Sequence, residues 1–223
     1  MSRVTLDRPW LEFDLGTDME VLSWSVNRPG FTIARRIMWR EVHNTDLPRG
    51  LNVADWLAGE LETAKASDAV TMLTSRDVCS FTEASAQAGR CKAHCVATVG
   101  LSNAERIGRR RPRTPARWGT INIAVRLSCG LTRTGLIEAM SIATEARTAA
   151  VIEVGLTLPT GIATGTGTDC IAIAAPRGPR DFVGLHTDAG EAIGAAAYRA
   201  TLAGARTWRT AVEPRLKGLI ENN

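Results

Sequence analysis

Two long Ala-rich stretches, residues 134–154 and 188–214, flank a Thr- and Gly-rich loop and one apolar run, Cys170-Ile171-Ala172-Ile173-Ala174. Small side chains let a helix lie close to a sheet, and a short apolar run after a turn reads as a buried strand. The chain therefore has to fold as helices packed tightly on strands. With only one Tyr and four Phe in 223 residues, its interior is built largely from Ala, Val, Ile and Leu.

Other segments fit that frame. Residues 19–26 read as a strand, with Pro29-Gly30 as the turn after it. Residues 52–65 read as a helix with Trp56, Leu57 and Leu61 on one side, and 69–73 as a short buried strand. Residues 92–101 and 121–127 are two further strands. Asp188, with Glu191 three residues on, reads as a capping-box start for the last helix. The expected fold class is α+β, a mixed sheet layered with Ala-rich helices in a single domain over residues 1–223, with α/β as the alternative.

Composition narrows the functional classes. Residues 1–10 carry Arg3, Asp7 and Arg8 without the apolar core of a signal peptide, and no run of about 18 apolar residues occurs. A cytoplasmic protein with no membrane partner is expected. Five cysteines, Cys79, Cys91, Cys95, Cys129 and Cys170, are an odd number and read as free thiols in a reducing compartment. Cys91, His94 and Cys95 resemble a ligand cluster, but on a strand His94 and Cys95 point to opposite faces, and no second ligand pair follows. No metal is expected. The net charge is +4, and six arginines (Arg106, Arg109, Arg110, Arg111, Arg113, Arg117) crowd one segment with Pro112 and Pro115. That block reads as an exposed loop; it lacks the interleaved aromatics of a nucleic-acid footprint, and no nucleic-acid partner is expected.

Several constellations carry chemistry. Thr164-Gly165-Thr166-Gly167-Thr168-Asp169 gathers three hydroxyls, two glycines and a carboxylate; glycine permits positive φ and close approach, and hydroxyls and N–H groups bind a developing anion. Gly100-Leu101-Ser102-Asn103-Ala104 is close to a nucleophile elbow, with Ser102 as the presented hydroxyl and Asn103 as an oxyanion donor. Asn122 interrupts an apolar strand and needs partners. On a wheel at 100° per residue, Thr134, Glu138, Ser141, Glu145 and Thr148 form a polar stripe opposite Leu136, Met140, Ala143 and Ala150. Arg147 falls on the apolar side, where it requires a carboxylate partner or a ligand. His186 stands at a helix entrance. Asp169, Glu145, Asp77 and His186 are thus the candidate acids and bases for hydrolysis: Asp169 or Glu145 activates water, or Ser102 or Thr166 attacks directly.

In order along the chain, Val21-Leu22-Ser23 with Gly30, Met72 through Asp77, Ala97 through Ala104, Gly119 through Ile123, Thr144 through Ala150, Ala163 through Asp169, and His186-Thr187 ahead of Gly190 through Gly194 resemble the adenosylcobinamide amidohydrolase family. The resemblance runs from about residue 21 to 209. Three departures stand out: Arg147 occupies a position where the family usually has lysine, the family often has an asparagine near Trp39 and a more Gly-rich run near Asn27 to Gly30, and the arginine-rich insert is longer and more basic. The resemblance implies hydrolysis of the amide between the aminopropanol arm and the corrin ring, giving adenosylcobyric acid and aminopropanol, in cobamide salvage. It also implies action by some members on complete cobamides such as pseudocobalamin. The implied partner is a small-molecule corrinoid, which is substrate, so no cofactor is expected. On that reading Asp169, Glu145, Asn103 and Asp77 are catalytic, and Ser102, Asn122, Arg147, Thr164, Gly165, Thr166, Gly167, Thr168 and His186 bind substrate. A fainter likeness, to the β-aminopeptidase and ornithine acetyltransferase group, implies a layered α+β fold and a hydroxyl nucleophile.

Overall fold

The computed structural model describes residues 3–109 and 119–214. From the N-terminus the chain forms β1 (Arg3–Asp7), β2 (Trp10–Ser23), β3 (Gly30–Glu41), α1 (Val53–Thr63), β4 (Val70–Thr74), a 3-10 turn (Val78–Ser80), β5 (Thr82–Ala88) and β6 (Cys91–Val99). It continues through β7 (Ala104–Glu105), β8 (Ile121–Leu127), α2 (Arg133–Val154), β9 (Thr157–Leu158), β10 (Gly161–Ile162), β11 (Gly165–Thr166), β12 (Cys170–Ala175) and α3 (Asp188–Ala211).

The long strand β2 sets the architecture. It pairs antiparallel with β3, but the register shifts between Asp14 and Met19. Gly16 sits in that break with φ +80°, and its N–H bonds the Asp14 carboxylate at 2.8 Å. Such a break bends a strand and re-aims its partners. The first half of β2 accordingly carries β1, while Glu20 to Ser23 pair with β12. The sheet runs β4-β3-β2-β12-β8-β6-β5, with β4 parallel to β3 and β12 parallel to β8.

Alternation along the strands divides the interior into two cores. Ile171, Ile173 and Ala175 of β12, Ile121, Ile123, Val125 and Leu127 of β8, and Ala93, Cys95, Ala97 and Val99 of β6 face α2 and α3. Ala172 and Ala174 face the other way, into a core with Leu11, Phe13, Leu15, Ile37, Trp39 and Met72, around which the bent sheet curls. α1 packs Leu57 and Leu61 against Met38 on the outside. The helices come close because they present alanine: Ala189, Ala192, Ala196, Ala197 and Ala200 of α3 are fully buried. A Cβ added at Gly190 would lie 2.2 Å from the Gly184 carbonyl oxygen. Gly190→Ala forces backbone apart, so it should destabilise the fold by about 3 kcal/mol; an unchanged denaturant midpoint would show that the α3 entrance is less tightly packed than this.

The α+β class, α1, α2, β4, β6, β8, β12 and α3 match the sequence expectations to within a few residues. Three points are corrected. β1, β3 and β5 went unread, and the 19–26 strand is the second half of a longer one. Thr187, not Asp188, caps α3, its hydroxyl accepting the Gly190 N–H at 3.0 Å. Cys91 and Cys129 form a disulfide, so the free cysteines are Cys79, Cys95 and Cys170.

Candidate active site

The polar loop before β12 is held from below and from the side. Gly165 and Thr166 pair as β11 with Glu105 and Ala104 of β7. Thr164 reinforces this, its N–H donating to the Glu105 carbonyl at 2.9 Å and its hydroxyl accepting from Ile107 N–H at 2.8 Å. The elbow segment is thus not remote from the loop: residues 104–105 are its partner strand.

Asp169 is the hub. One carboxylate oxygen, Oδ1, accepts from the Thr166 hydroxyl at 2.5 Å and from Ile121 N–H at 3.0 Å. The other, Oδ2, accepts from Thr166 N–H at 3.0 Å and from the Arg147 guanidinium, reaching in from α2. The pair is buried, with side-chain exposures of 14% for Arg147 and 9% for Asp169. Burial pushes the Asp169 carboxyl above the usual carboxylate range, while Arg147 and the bonds from Thr166 and Ile121 pull it back. Arg147 therefore has the carboxylate partner that its place on the helix wheel demanded.

Glycine at 165 leaves room for the Arg147–Asp169 pair, and its φ is not positive. A Cβ there would lie 2.2 Å from an Arg147 guanidinium nitrogen and 2.7 Å from Asp169 Oδ2. Neither Gly165 nor Gly167 has positive φ, which corrects that part of the sequence expectation.

A second ring of bonds braces the loop. The Thr120 hydroxyl donates to the Thr168 carbonyl at 2.8 Å and contacts Asn122 Oδ1 at 3.0 Å. Asn122, buried, donates to the Leu73 carbonyl at 2.6 Å, tying the end of β4 to β8. Asn103 Nδ2 and the Thr168 hydroxyl both donate to the Gly119 carbonyl at 3.0 Å. The N–H groups of Gly167 and Thr168 have only long contacts, 3.5 Å to Asn103 Oδ1 and 3.4 Å to Thr166 Oγ1. Bonds that long are weak, so these two exposed donors are available to an incoming oxygen. Asn103 is committed to bracing the loop.

The structure thus gathers Asn103, Asn122, Arg147, Thr164, Gly165, Thr166, Gly167, Thr168 and Asp169. Ser102 sits beside them in the turn, but its hydroxyl has no hydrogen-bond partner among the described residues and hence no base. Three candidates lie elsewhere. Glu145 is exposed, bonded to Ser141 at 3.3 Å, and lines an open groove of about 400 Å³ between α2 and α3 with Leu185 and Tyr198. Asp77 caps the 3-10 turn through Cys79 N–H at 2.9 Å, and His186 is exposed ahead of α3. Of the arginine block, residues 110–118 lie outside the described residues; Arg106 donates to the Ile162 carbonyl at 3.2 Å. Among the described residues no cluster of metal-ligating side chains forms, and no helix is long and apolar enough to cross a membrane. Cys170, next to Asp169, is no rival nucleophile: burial pushes its thiol up to about 12.

Sequence reasoning passed over Trp24, whose indole N–H donates to the Asp169 carbonyl at 2.9 Å, and Thr120. The signal for Trp24 was the alternation Ser23-Trp24-Ser25-Val26, which turns an indole outward from a strand end.

A threonine hydroxyl bonded to a buried carboxylate, with loop N–H groups beside it, is equipment for breaking an acyl bond. This chain belongs to the adenosylcobinamide amidohydrolase (CbiZ) family, whose model matches residues 2–213, and it is a hydrolase of an amide bond. A comparison with curated proteins found no match. Among solved structures, a Burkholderia sp. β-aminopeptidase is similar at 12% identity and a TM-score of 0.48, over 87% of this chain and 78% of that one. The PH0078 protein of Pyrococcus horikoshii OT3 is similar at 9% identity and 0.46, over 87% and 76%. The L-aminopeptidase D-Ala-esterase/amidase of Ochrobactrum anthropi is similar at 10% identity and 0.42, over 91% and 82%.

Proposed function

We propose that the protein hydrolyses the amide joining the aminopropanol arm of adenosylcobinamide to the corrin ring, giving adenosylcobyric acid and aminopropanol, with Thr166 as nucleophile and Asp169 as its base. The observation that carries the reading is the 2.5 Å bond from the Thr166 hydroxyl to a buried carboxylate. Thr166 Oγ attacks the amide carbon and its proton passes to Asp169 Oδ1. The oxygen that becomes anionic takes the N–H groups of Gly167 and Thr168. The proton then moves to the amine nitrogen as the C–N bond breaks, leaving an ester on Thr166. Water attacks that ester, gives its proton to Oδ1, and Thr166 leaves with that proton restored. Asp169 has all four acceptor directions filled, which favours this route over direct activation of water by Asp169.

Asp169 works in its ionised form, so the rate falls as pH drops through its raised pKa. Arg147 opposes the effect of burial. Arg147→Met should therefore move the acid limb of kcat/KM to higher pH, and Arg147→Lys, which keeps the charge, should leave it close to wild type. A limb that stays put in Arg147→Met would assign it to another group.

The product can re-enter cobamide assembly with a different lower ligand, which makes salvage the cellular role, in the cytoplasm. Action on complete cobamides would extend it to remodelling, and the positive charge of Arg109, Arg110 and Arg111 suits the nucleotide-loop phosphate that such substrates carry. Incubation with adenosylcobinamide and, separately, adenosylpseudocobalamin, followed by liquid chromatography with mass detection, separates the two. Adenosylcobyric acid from the first substrate alone means salvage, from both means remodelling, and from neither rejects the reading.

A further inference from the structure

The strand end that passes the active site carries an apolar surface that the chemistry above does not use. Ser23 and Ser25 are buried and their hydroxyls bond each other at 3.0 Å. This holds the backbone so that Trp24 between them turns outward, with 50% of its surface exposed. The indole is not free to swing, because its N–H is fixed to the Asp169 carbonyl at 2.9 Å. The register pairs Leu22 with Phe31 and Glu20 with Ile33, and cross-strand partners share a face. Leu22 and Phe31 lean on the core under the helices, and Ile33 is 43% exposed. Leu22, Trp24, Phe31 and Ile33 thus lie on one face, where the Arg133 guanidinium covers Phe31 at 5.0 Å and bonds Glu20 at 2.8 Å; the open apolar part of this shelf is Trp24 and Ile33, and its Trp24 end is bonded to the residue that holds Thr166.

We infer that this shelf receives the apolar face of the corrin macrocycle, with Trp24 as the stacking residue that sets the scissile amide against Thr166. The inference rests on the amidohydrolase reading. An amide on a short arm reaches Thr166 only if the broad, flat ring from which it hangs rests close by. A rigid indole offers flat contact area at little conformational cost. Fixing Trp24 to the Asp169 carbonyl couples the position of the ring to that of the nucleophile loop. A second copy of this chain is the rival occupant of the shelf.

Trp24→Ser and Trp24→Phe separate these cases: Kd is measured by equilibrium dialysis of adenosylcobinamide with each change, and none, placed in Thr166→Val protein so that the ligand survives, and steady-state kinetics and size by gel filtration are measured in otherwise wild-type protein. Trp24→Ser should raise both Kd and KM at least about tenfold, whereas Trp24→Phe, which keeps an aromatic face but loses the N–H bond to the Asp169 carbonyl, should stay within about threefold of wild type in Kd and KM, with any fall in kcat shared by the two variants. An unchanged Kd in Trp24→Ser, a fall in kcat at constant KM in both variants, or a change in oligomer size in place of affinity would overturn the inference. Failure of the amidohydrolase reading looks different: wild type would bind adenosylcobinamide and leave it intact, and the Kd comparison would still decide the role of the shelf. Wild type that binds none overturns both.

Discussion

Thr166→Val is expected to lower kcat for amide hydrolysis by at least about a thousandfold while the protein stays folded, the scale seen when an acyl-transfer nucleophile is removed. Valine matches threonine in shape, so the loop keeps its packing. The Thr166 N–H bond to Asp169 Oδ2 and the pairing of Thr166 with Ala104 are backbone contacts that survive the change. What disappears is the hydroxyl and its bond to Asp169, a stability cost of about 1–2 kcal/mol. Thr166→Ser restores a hydroxyl at the same position and should recover most of the rate. Activity within tenfold of wild type in Thr166→Val would remove Thr166 as nucleophile and return attention to a water-based route.

Asp169→Asn combines the same loss of rate with a large loss of stability. An amide in place of the carboxylate leaves the Arg147 charge buried without its partner, and the NH2 half of the amide faces groups that themselves donate, either the Thr166 hydroxyl and Ile121 N–H or Thr166 N–H and Arg147. Breaking one side of a buried pair costs about 3–5 kcal/mol. The double variant Asp169→Asn with Arg147→Met removes the stranded charge and should regain a good part of that stability without regaining activity. Chemical denaturation beside a rate measurement distinguishes the two contributions. A fully active Asp169→Asn would take the carboxylate out of the mechanism, and a stable but inactive one would mean that Arg147 finds another partner.

The sequence made the long elements legible because their signals are local. β8 and β12 are continuous apolar runs, and α2 and α3 have the length and small-residue content of helices packed on a sheet. β3 was hidden by Arg35, Arg36 and Arg40, charges that this strand satisfies through tertiary contacts. Arg36 pairs with Asp68 at 2.5 Å; Arg40 pairs with Glu60 at 2.7 Å and lies over the rings of Trp10 and Trp56. β5, Thr-Glu-Ala-Ser-Ala-Gln-Ala, alternates exposed polar residues with small ones too weakly apolar to register. β7 and β9 to β11 are two residues each, too short for any periodicity.

The site was legible where chemistry is dense in the chain. The Thr164 to Asp169 loop stands out by composition, and the wheel singled out Arg147 as a charge in need of a partner. Which acids meet is a different matter, since it depends on how the sheet bends at Gly16 and on which face of α2 turns inward. Glu145 lies two residues from Arg147, about 200° around the helix, and so faces the outer groove when Arg147 faces the loop. Asp77 and His186 cap and flank other elements. The Cys91–Cys129 bond joins residues 38 positions apart, a pairing that cysteine count and spacing alone do not reveal.

The most direct test of the account is the balance of products from purified protein and adenosylcobinamide, with adenosylcobyric acid and aminopropanol each quantified over time. The account predicts that the two appear together in equal amounts, over many turnovers per protein. Adenosylcobinamide recovered intact, bound to the protein and accompanied by neither product, would contradict it and make the protein a corrinoid carrier.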